Sequence, residues 1–412
     1  MKRGGAARML SANGAGTPES IEPIYFERRQ PDDVCGKIRT MSFLHYMSRK
    51  SIPMSARKSF QGLALSLIIL IIGSLIISAA AMAQTKPLQT LRIVGGIATG
   101  NRFARIERPF WTTELAKLSG GKFSADIVPF DRAGVSGQDM LRMMQLGVIP
   151  FGTALVSHMA GEAPEFNAPD LAGLNPDIAS LKIAVTAFRP YLEKTLRDRY
   201  GVELLSVYVY PAQVIFCKRP ITKLTDLSGR RIRVSSATAA DFIQALGGTP
   251  VLTEFAEIMT NMASGNTECA VTSAMSGNTL GLHTITSHLY NLPVSWGLSV
   301  LAANVESWRR VDPELRTLLL RELPKLEAAI WSEAARDTVE GISCNSGIGE
   351  CTNGRKGKMT VLQLTHDDDQ RRQQIFRQRV LPQWVQRCGV SCAKTWNQTV
   401  KSVVGIDATG SN

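Results

Sequence analysis

Short apolar runs alternate with stretches of helical spacing along most of the chain. "LRIVGG", from Leu91, is a compact apolar run ending in glycine, as a buried strand does. Phe103, Ile106, Phe110 and Leu118 then recur at the interval of one helix face, with Trp111 and Leu115 beside them. "FSADIVPF" predicts a second strand, "SGQDMLRMMQLG" a helix closed by Gly147, and "VIPFGTAL" a third strand. A Pro- and Gly-rich connection over 161–176 leads to a helix from about Asp177 to Tyr200. Pro190 predicts a kink there, because its ring removes one N–H bond. "ELLSVYVY" is a further strand, and Pro211 follows it.

The second half repeats the alternation. "AQVIFCK", "RRIRV", "ECAVTS" and "GLSVLAAN" read as strands. Ala239, Phe242, Ile243 and Leu246 form one helix face, and Phe255, Ile258, Met259 and Met262 another. Asp312 and Pro313 open a long helix, since Asp caps free N–H groups and Pro suits the first turn. It is expected to run to about Glu340 with Pro324 inside it, long enough to cross between domains. A helix from about Asp368 to Arg387 and another near Trp396 follow. Strands separated by helices predict an α/β fold with largely parallel sheets. A chain of 412 residues predicts two or three domains at about 150 residues each.

Charge changes the picture chiefly at the start. Half of the net charge of +12 falls within residues 1–83, and the remainder carries no dense basic run. Nucleic-acid binding needs a concentrated footprint and is not expected. Arg57 and Lys58 precede an apolar stretch from Leu63 to Ile77, and Ala81-Met82-Ala83 stands before Gln84. Residues 59–83 therefore read as a cleaved signal peptide for export to the periplasm. A retained membrane anchor is the other reading, since the stretch falls just short of a span. Residues 1–58 read as a disordered leader with a possible misassigned start, because Met47 or Met54 would begin an ordinary signal peptide.

Export suits the cysteines. Cys35 lies in the leader, leaving Cys217, Cys269, Cys344, Cys351, Cys388 and Cys392, and disulfides persist outside the cytoplasm. Cys344 with Cys351 and Cys388 with Cys392 are the local disulfide candidates, although six cysteines allow fifteen pairings. Zinc is the alternative for these four, but the six-residue gap from Cys344 to Cys351 exceeds the usual ligand spacing.

Signatures of catalysis are missing. There is no G-x-G-x-x-G, Walker A, H-E-x-x-H or G-x-S-x-G pattern, so no enzyme, cofactor or metal is expected. His283 and His288 stand five apart and would face different sides of a helix. "GRRIRVSSATAADFIQALGGTPV" is the stretch with chemistry in it. Ile232 and Val234 point one way in the strand, so Arg231 and Arg233 point the other. Arg233 lies nearest the strand's carboxyl end, where ligands collect in open α/β sheets. Ser235, Ser236 and Thr238 lead into a helix N-terminus, which offers free N–H donors to an anion. A guanidinium adds a planar fork matched to a carboxylate, while the competing reading is a surface salt bridge. Thr272, Ser273 and Ser276 follow "ECAV" at the same strand end. Ser157 and Thr99 hold equivalent places in the first half, and Trp296 is either an apolar wall or core.

"ITKLTDLSGRRIRVSSATAADFIQALGGTPV" resembles the signature of the periplasmic solute-binding subunits of TRAP (tripartite ATP-independent periplasmic) transporters, DctP type. Pro220, Asp226, Leu227, Gly229 and Arg233 stand at matching places. "TEFAEIMTNMASGNTECAVTS" resembles the next family segment through Glu257 and Gly265, and "GQDMLRMMQLGVIPFGTA" and "VLPQWVQRCG" resemble further ones. The resemblance implies a two-lobed α/β fold with mixed sheets, hinge strands and a long helix spanning both lobes. Lobe I would take 84–211, with 304–340 as return segment, and lobe II 212–303, with 341–412. Closure would turn about 211–214 and 299–304. It also implies a monomer that pairs a small organic acid with Arg233 and passes it to membrane permease subunits. An exported ligand sensor for a receptor and an unrecognised periplasmic enzyme are the alternatives. The chain departs from the family at Gln213, where some relatives carry a second arginine, at Ser287, and at Cys269-Ala270. These departures predict a ligand other than sialic acid or simple C4-dicarboxylates.

Overall fold

A computed structural model describes residues 89–409. The proposed leader and signal peptide lie outside the described residues. Eleven strands, numbered in chain order, build two sheets. The first contains β1 (Gln89–Gly95), β2 (Phe123–Pro129), β3 (Phe151–Leu155), β4 (Val202–Val209) and β10 (Leu298–Asn304), in the order β2-β1-β3-β10-β4. The second contains β5 (Gln213–Cys217), β6 (Arg231–Val234), β7 (Thr249–Leu252), β8 (Cys269–Ser273), β9 (His288–Ser295) and β11 (Thr360–Gln363), in the order β11-β9-β5-β8-β6-β7.

Both sheets are mixed, not largely parallel. β10 runs antiparallel to β3 and β4, and β5 antiparallel to β8 and β9. The cause lies in two of the chain's three changes of sheet, at 210–212 and at 296–297, where the arriving strand enters against its neighbours; the third, through the long helix, brings in β11 parallel to β9. This corrects the expected lobe II of 212–303, because β10 lies inside the first sheet. The expected hinge at 299–304 falls inside β10, which β3 and β4 hold on both edges, and the link between the sheets is 296–297.

The long helix covers Pro313–Ser346, with Asp312 capping the N–H groups of Glu314 and Leu315. Its middle packs on the first sheet, where Trp331 Nε1 donates 2.9 Å to the Val207 carbonyl. Its last turns pack on the helix Ala274–Leu280, where Asn345 Nδ2 donates to the Ala274 carbonyl. One helix therefore joins both lobes. The C-terminal helices, expected in lobe II, join them too. Trp384 donates to the Pro164 carbonyl, while Arg387 forks onto Asp241 in the helix Ala237–Ala245. Among the described residues no helix is long and apolar enough to cross a membrane.

The six described cysteines pair as Cys217–Cys269, Cys344–Cys351 and Cys388–Cys392. The first joins β5 to β8 at facing register positions. It closes a loop of sequence separation 52, so opening it frees a large unfolded ensemble. The double variant Cys217→Ala/Cys269→Ala is expected to lose roughly 2–4 kcal/mol in urea denaturation. A loss below 0.5 kcal/mol (about the scatter of surface substitutions) would mean that this bridge does not restrain the fold.

Candidate functional site

The two crossings bring matching ends of the sheets together. The carboxyl ends of β6 and β8 and the start of β5 share one edge of the second sheet. The ends of β3 and β4 and the start of β10 share one edge of the first. A contact closes the gap: His158, just after β3, places Nε2 3.6 Å from Glu254 Oε2, just after β7.

Arg233 lies at this junction and is only 2% exposed. Its Nε and Nη2 both donate to the Thr253 carbonyl, at 3.1 and 2.8 Å, and Nη1 donates to the Val271 carbonyl at 2.9 Å. A guanidinium has five N–H donors, so two remain for another partner. It makes no ion pair among the described residues. Burial lowers its pKa to about 10, against the fields of Glu254 and Glu257, so the group stays charged at neutral pH. The neighbouring arginines have other roles. Arg230 holds the carbonyls of Arg219 and Pro220, and exposed Arg231 holds those of Gly265 and Asn266.

The other expected site residues divide. Ser235 is half-buried beside Arg233, and Ser236 caps the Ala237–Ala245 helix by accepting from the Ala239 N–H. Thr272 and Ser273 are buried, and Ser273 Oγ donates to Ser276 Oγ while capping the next helix. Ser157 is half-buried beside His158, whereas Thr99 is exposed. Trp296 lies in the core and donates Nε1 to the Asn175 carbonyl, so it takes the core option.

Several residues in this region have no counterpart in the sequence reading. Arg102 donates to Ser299 Oγ at 3.0 Å and to the Tyr210 hydroxyl at 2.9 Å, and its guanidinium lies 4.2 Å from the Tyr210 ring centre. Glu107, 4.0 Å from Arg102 Nε, accepts from the Gly96 N–H and from Thr153 Oγ. Burial raises the Glu107 pKa, while Arg102 and these donors pull it back. A β-carbon at Gly96 would displace the Arg102 guanidinium, and one at Gly137 the His158 ring. Next to these groups is a recess of about 10 Å³, lined by Phe130, Met140, Thr153, Leu155, His158 and Tyr210. His158 was within reach of sequence reasoning, because it occupies the same strand end that nominated Ser157.

Asp170 ties down the second crossing. Its carboxylate accepts from the N–H groups of Trp296 and Gly297, at 3.1 and 2.7 Å. Those donors favour the anion, but burial outweighs them and raises the pKa to about 7. The folded chain thus keeps this proton after the unfolded chain has lost it. Stability from this group is full below about pH 4 and falls as pH rises towards 7, by at most roughly 4 kcal/mol. Urea denaturation between pH 4.5 and 8 is expected to show that decline and to flatten in Asp170→Asn. Equal slopes in the two proteins would contradict the assignment.

The model of the bacterial extracellular solute-binding proteins, family 7 (DctP), matches residues 106–380. The chain belongs to that family. Solute-binding proteins of known structure share the fold. DctP7 of Bordetella pertussis, an extracytoplasmic solute receptor binding pyroglutamic acid, superposes with a TM-score of 0.66 at 22% identity, covering 75% of this chain and 99% of that one. A TRAP periplasmic solute-binding protein of Rhodoferax ferrireducens with bound malonate gives 0.67 at 19% identity, covering 76% and 98%. The Salmonella typhimurium protein YiiZ, itself uncharacterized, is 22% identical over 243 residues, spanning 56% of this chain and 72% of the relative. The two-lobed α/β fold expected from the resemblance is therefore the fold of the family.

Proposed function

We propose that this family 7 protein captures a small organic acid in the cleft between its two sheets, with Arg233 gripping the carboxylate. It then delivers the acid, in the periplasm, to TRAP permease subunits. One observation carries the reading: a buried, charged guanidinium is held rigidly by two backbone carbonyls yet has no carboxylate of its own. A buried cation without a counter-ion is costly, and a ligand anion would remove that cost. Pyroglutamic acid and malonate, bound by the two structural neighbours, are both carboxylic acids.

The recess is too small for an organic acid, so the lobes must part for entry and close afterwards. Closure turns on 210–212 and 296–297 and displaces water, which strengthens the ion pair. Ser235 and the N-terminus of the Ala237–Ala245 helix, beside Arg233, support the anion. Thermal-shift screening with keto, hydroxy, aromatic, lactam and sugar acids tests the reading. An acid present at about 100 times its Kd is expected to stabilise the protein by about 2.7 kcal/mol. Stabilisation by no acid in that set, or equal stabilisation of Arg233→Gln, would overturn it.

A further inference from the structure

Resting on the carboxylate reading of Arg233, we infer that the site selects a monocarboxylate whose remaining part is uncharged, with His158 as the residue that enforces the choice.

Arg233 is a buried cation with no ion pair among the described residues, whereas Arg132, in the turn with Phe130, is exposed to solvent. Arg102 is the nearest rival on the first-lobe side, but its charge is spent. It is paired with Glu107, bonded to Ser299, and covered by the ring and hydroxyl of Tyr210. Gln213 is neutral, and its amide donates to the Trp296 carbonyl. On the first-lobe side, around His158, the recess presents apolar Phe130, Met140 and Leu155, with Thr153 and Tyr210 as hydroxyl groups.

His158 remains. Burial lowers its pKa below the ordinary 6.5, Arg233 acts the same way, and Glu254 opposes them. The ring is neutral at pH 7 and above. Glu254 and Arg233 are the charged groups facing it, while Phe130 and Gly137, packed against it, carry no charge. A second ligand carboxylate in this recess would lose its water and meet Glu254 and Glu107 with no buried cation left to pair it. An unpaired buried charge is strongly disfavoured. An uncharged ring or chain with a hydroxyl, carbonyl or amide group meets suitable partners instead.

Calorimetry with acids matched except for one carboxylate tests this: lactate with malate, butyrate with glutarate, and benzoate with phthalate. At pH 8 the monocarboxylate of any binding pair should bind at least tenfold more tightly, and Arg233→Gln should abolish its binding. His158→Arg supplies the missing cation and should narrow the gap tenfold or invert it. Should that variant fold poorly, His158→Lys supplies a cation on a more flexible stem and should narrow the gap in the same direction. A dicarboxylate that binds wild type equally well through Arg233 would refute the selectivity and leave the Arg233 reading intact. Binding indifferent to Arg233→Gln would refute that reading. Silence from every acid would refute both.

Discussion

Arg233→Gln is expected to weaken capture of the bound acid at least 100-fold by calorimetry. The substitution removes the charge and one arm of the planar fork together. Charge-assisted, two-point hydrogen bonding is the strongest polar contact a side chain offers a carboxylate. A factor of 100 corresponds to about 2.8 kcal/mol, within reach of one such contact in a closed, dry cleft. Arg233→Lys keeps the charge but loses the fork, so an intermediate loss of about tenfold or more is expected. The arginine also serves the carbonyls of Thr253 and Val271, and leaving these unsatisfied costs stability. Melting of the free variant measures that contribution separately. A variant that folds normally and binds as wild type does would remove Arg233 from the site.

Gly341→Leu is expected to be the most damaging substitution in the long helix. A β-carbon there meets the backbone of Ala274 and Met275, and a helix N-terminus cannot step aside as a flexible side chain can. The last turns of Pro313–Ser346 would have to lift from the second lobe, breaking the bond from Asn345 to the Ala274 carbonyl. Overpacking and a lost buried hydrogen bond together predict about 3 kcal/mol or more in urea denaturation. Leu320→Ala is the control on the same helix. Leu320 is 61% exposed, and its loss should stay within about 0.5 kcal/mol. If both variants unfolded alike, close helix approach at Gly341 would not matter.

Much of this architecture is legible in the sequence because local patterns carry it. The apolar run of β6 and the hydroxyl residues after it mark a strand leading into a capped helix. Alternation puts Arg231 and Arg233 on one face, yet one is exposed and the other buried. The difference arises because the loop of Thr253 and Glu254, following β7, covers the end of β6. β7 has only four residues, including Pro250, and leaves little periodic signal. With β7 went Glu254, and with Glu254 its contact to His158. β9 is broken by Asn291 and Pro293, and β11 is a four-residue edge strand, so pattern alone does not announce them.

Other features depend on which elements lie side by side. Pairing of Cys217 with Cys269 follows from the β5–β8 register, which no spacing encodes. In sequence Gly341 resembles a helix stop. The helix instead continues to Ser346 and ends at Gly347, whose φ of 74° suits glycine. Gly341 is there for close approach to the second lobe. The Arg102–Glu107 pair is equally silent in sequence, because its partners Ser299 and Tyr210 arrive only when the chain crosses between sheets.

A crystal structure of the protein with its bound acid is the most direct test of the central claim. The account predicts closed lobes and a carboxylate oxygen about 3 Å from a terminal nitrogen of Arg233, while Thr253 and Val271 keep their bonds to it. An acid seated elsewhere in the molecule, with Arg233 touching nothing but backbone carbonyls, would contradict the account.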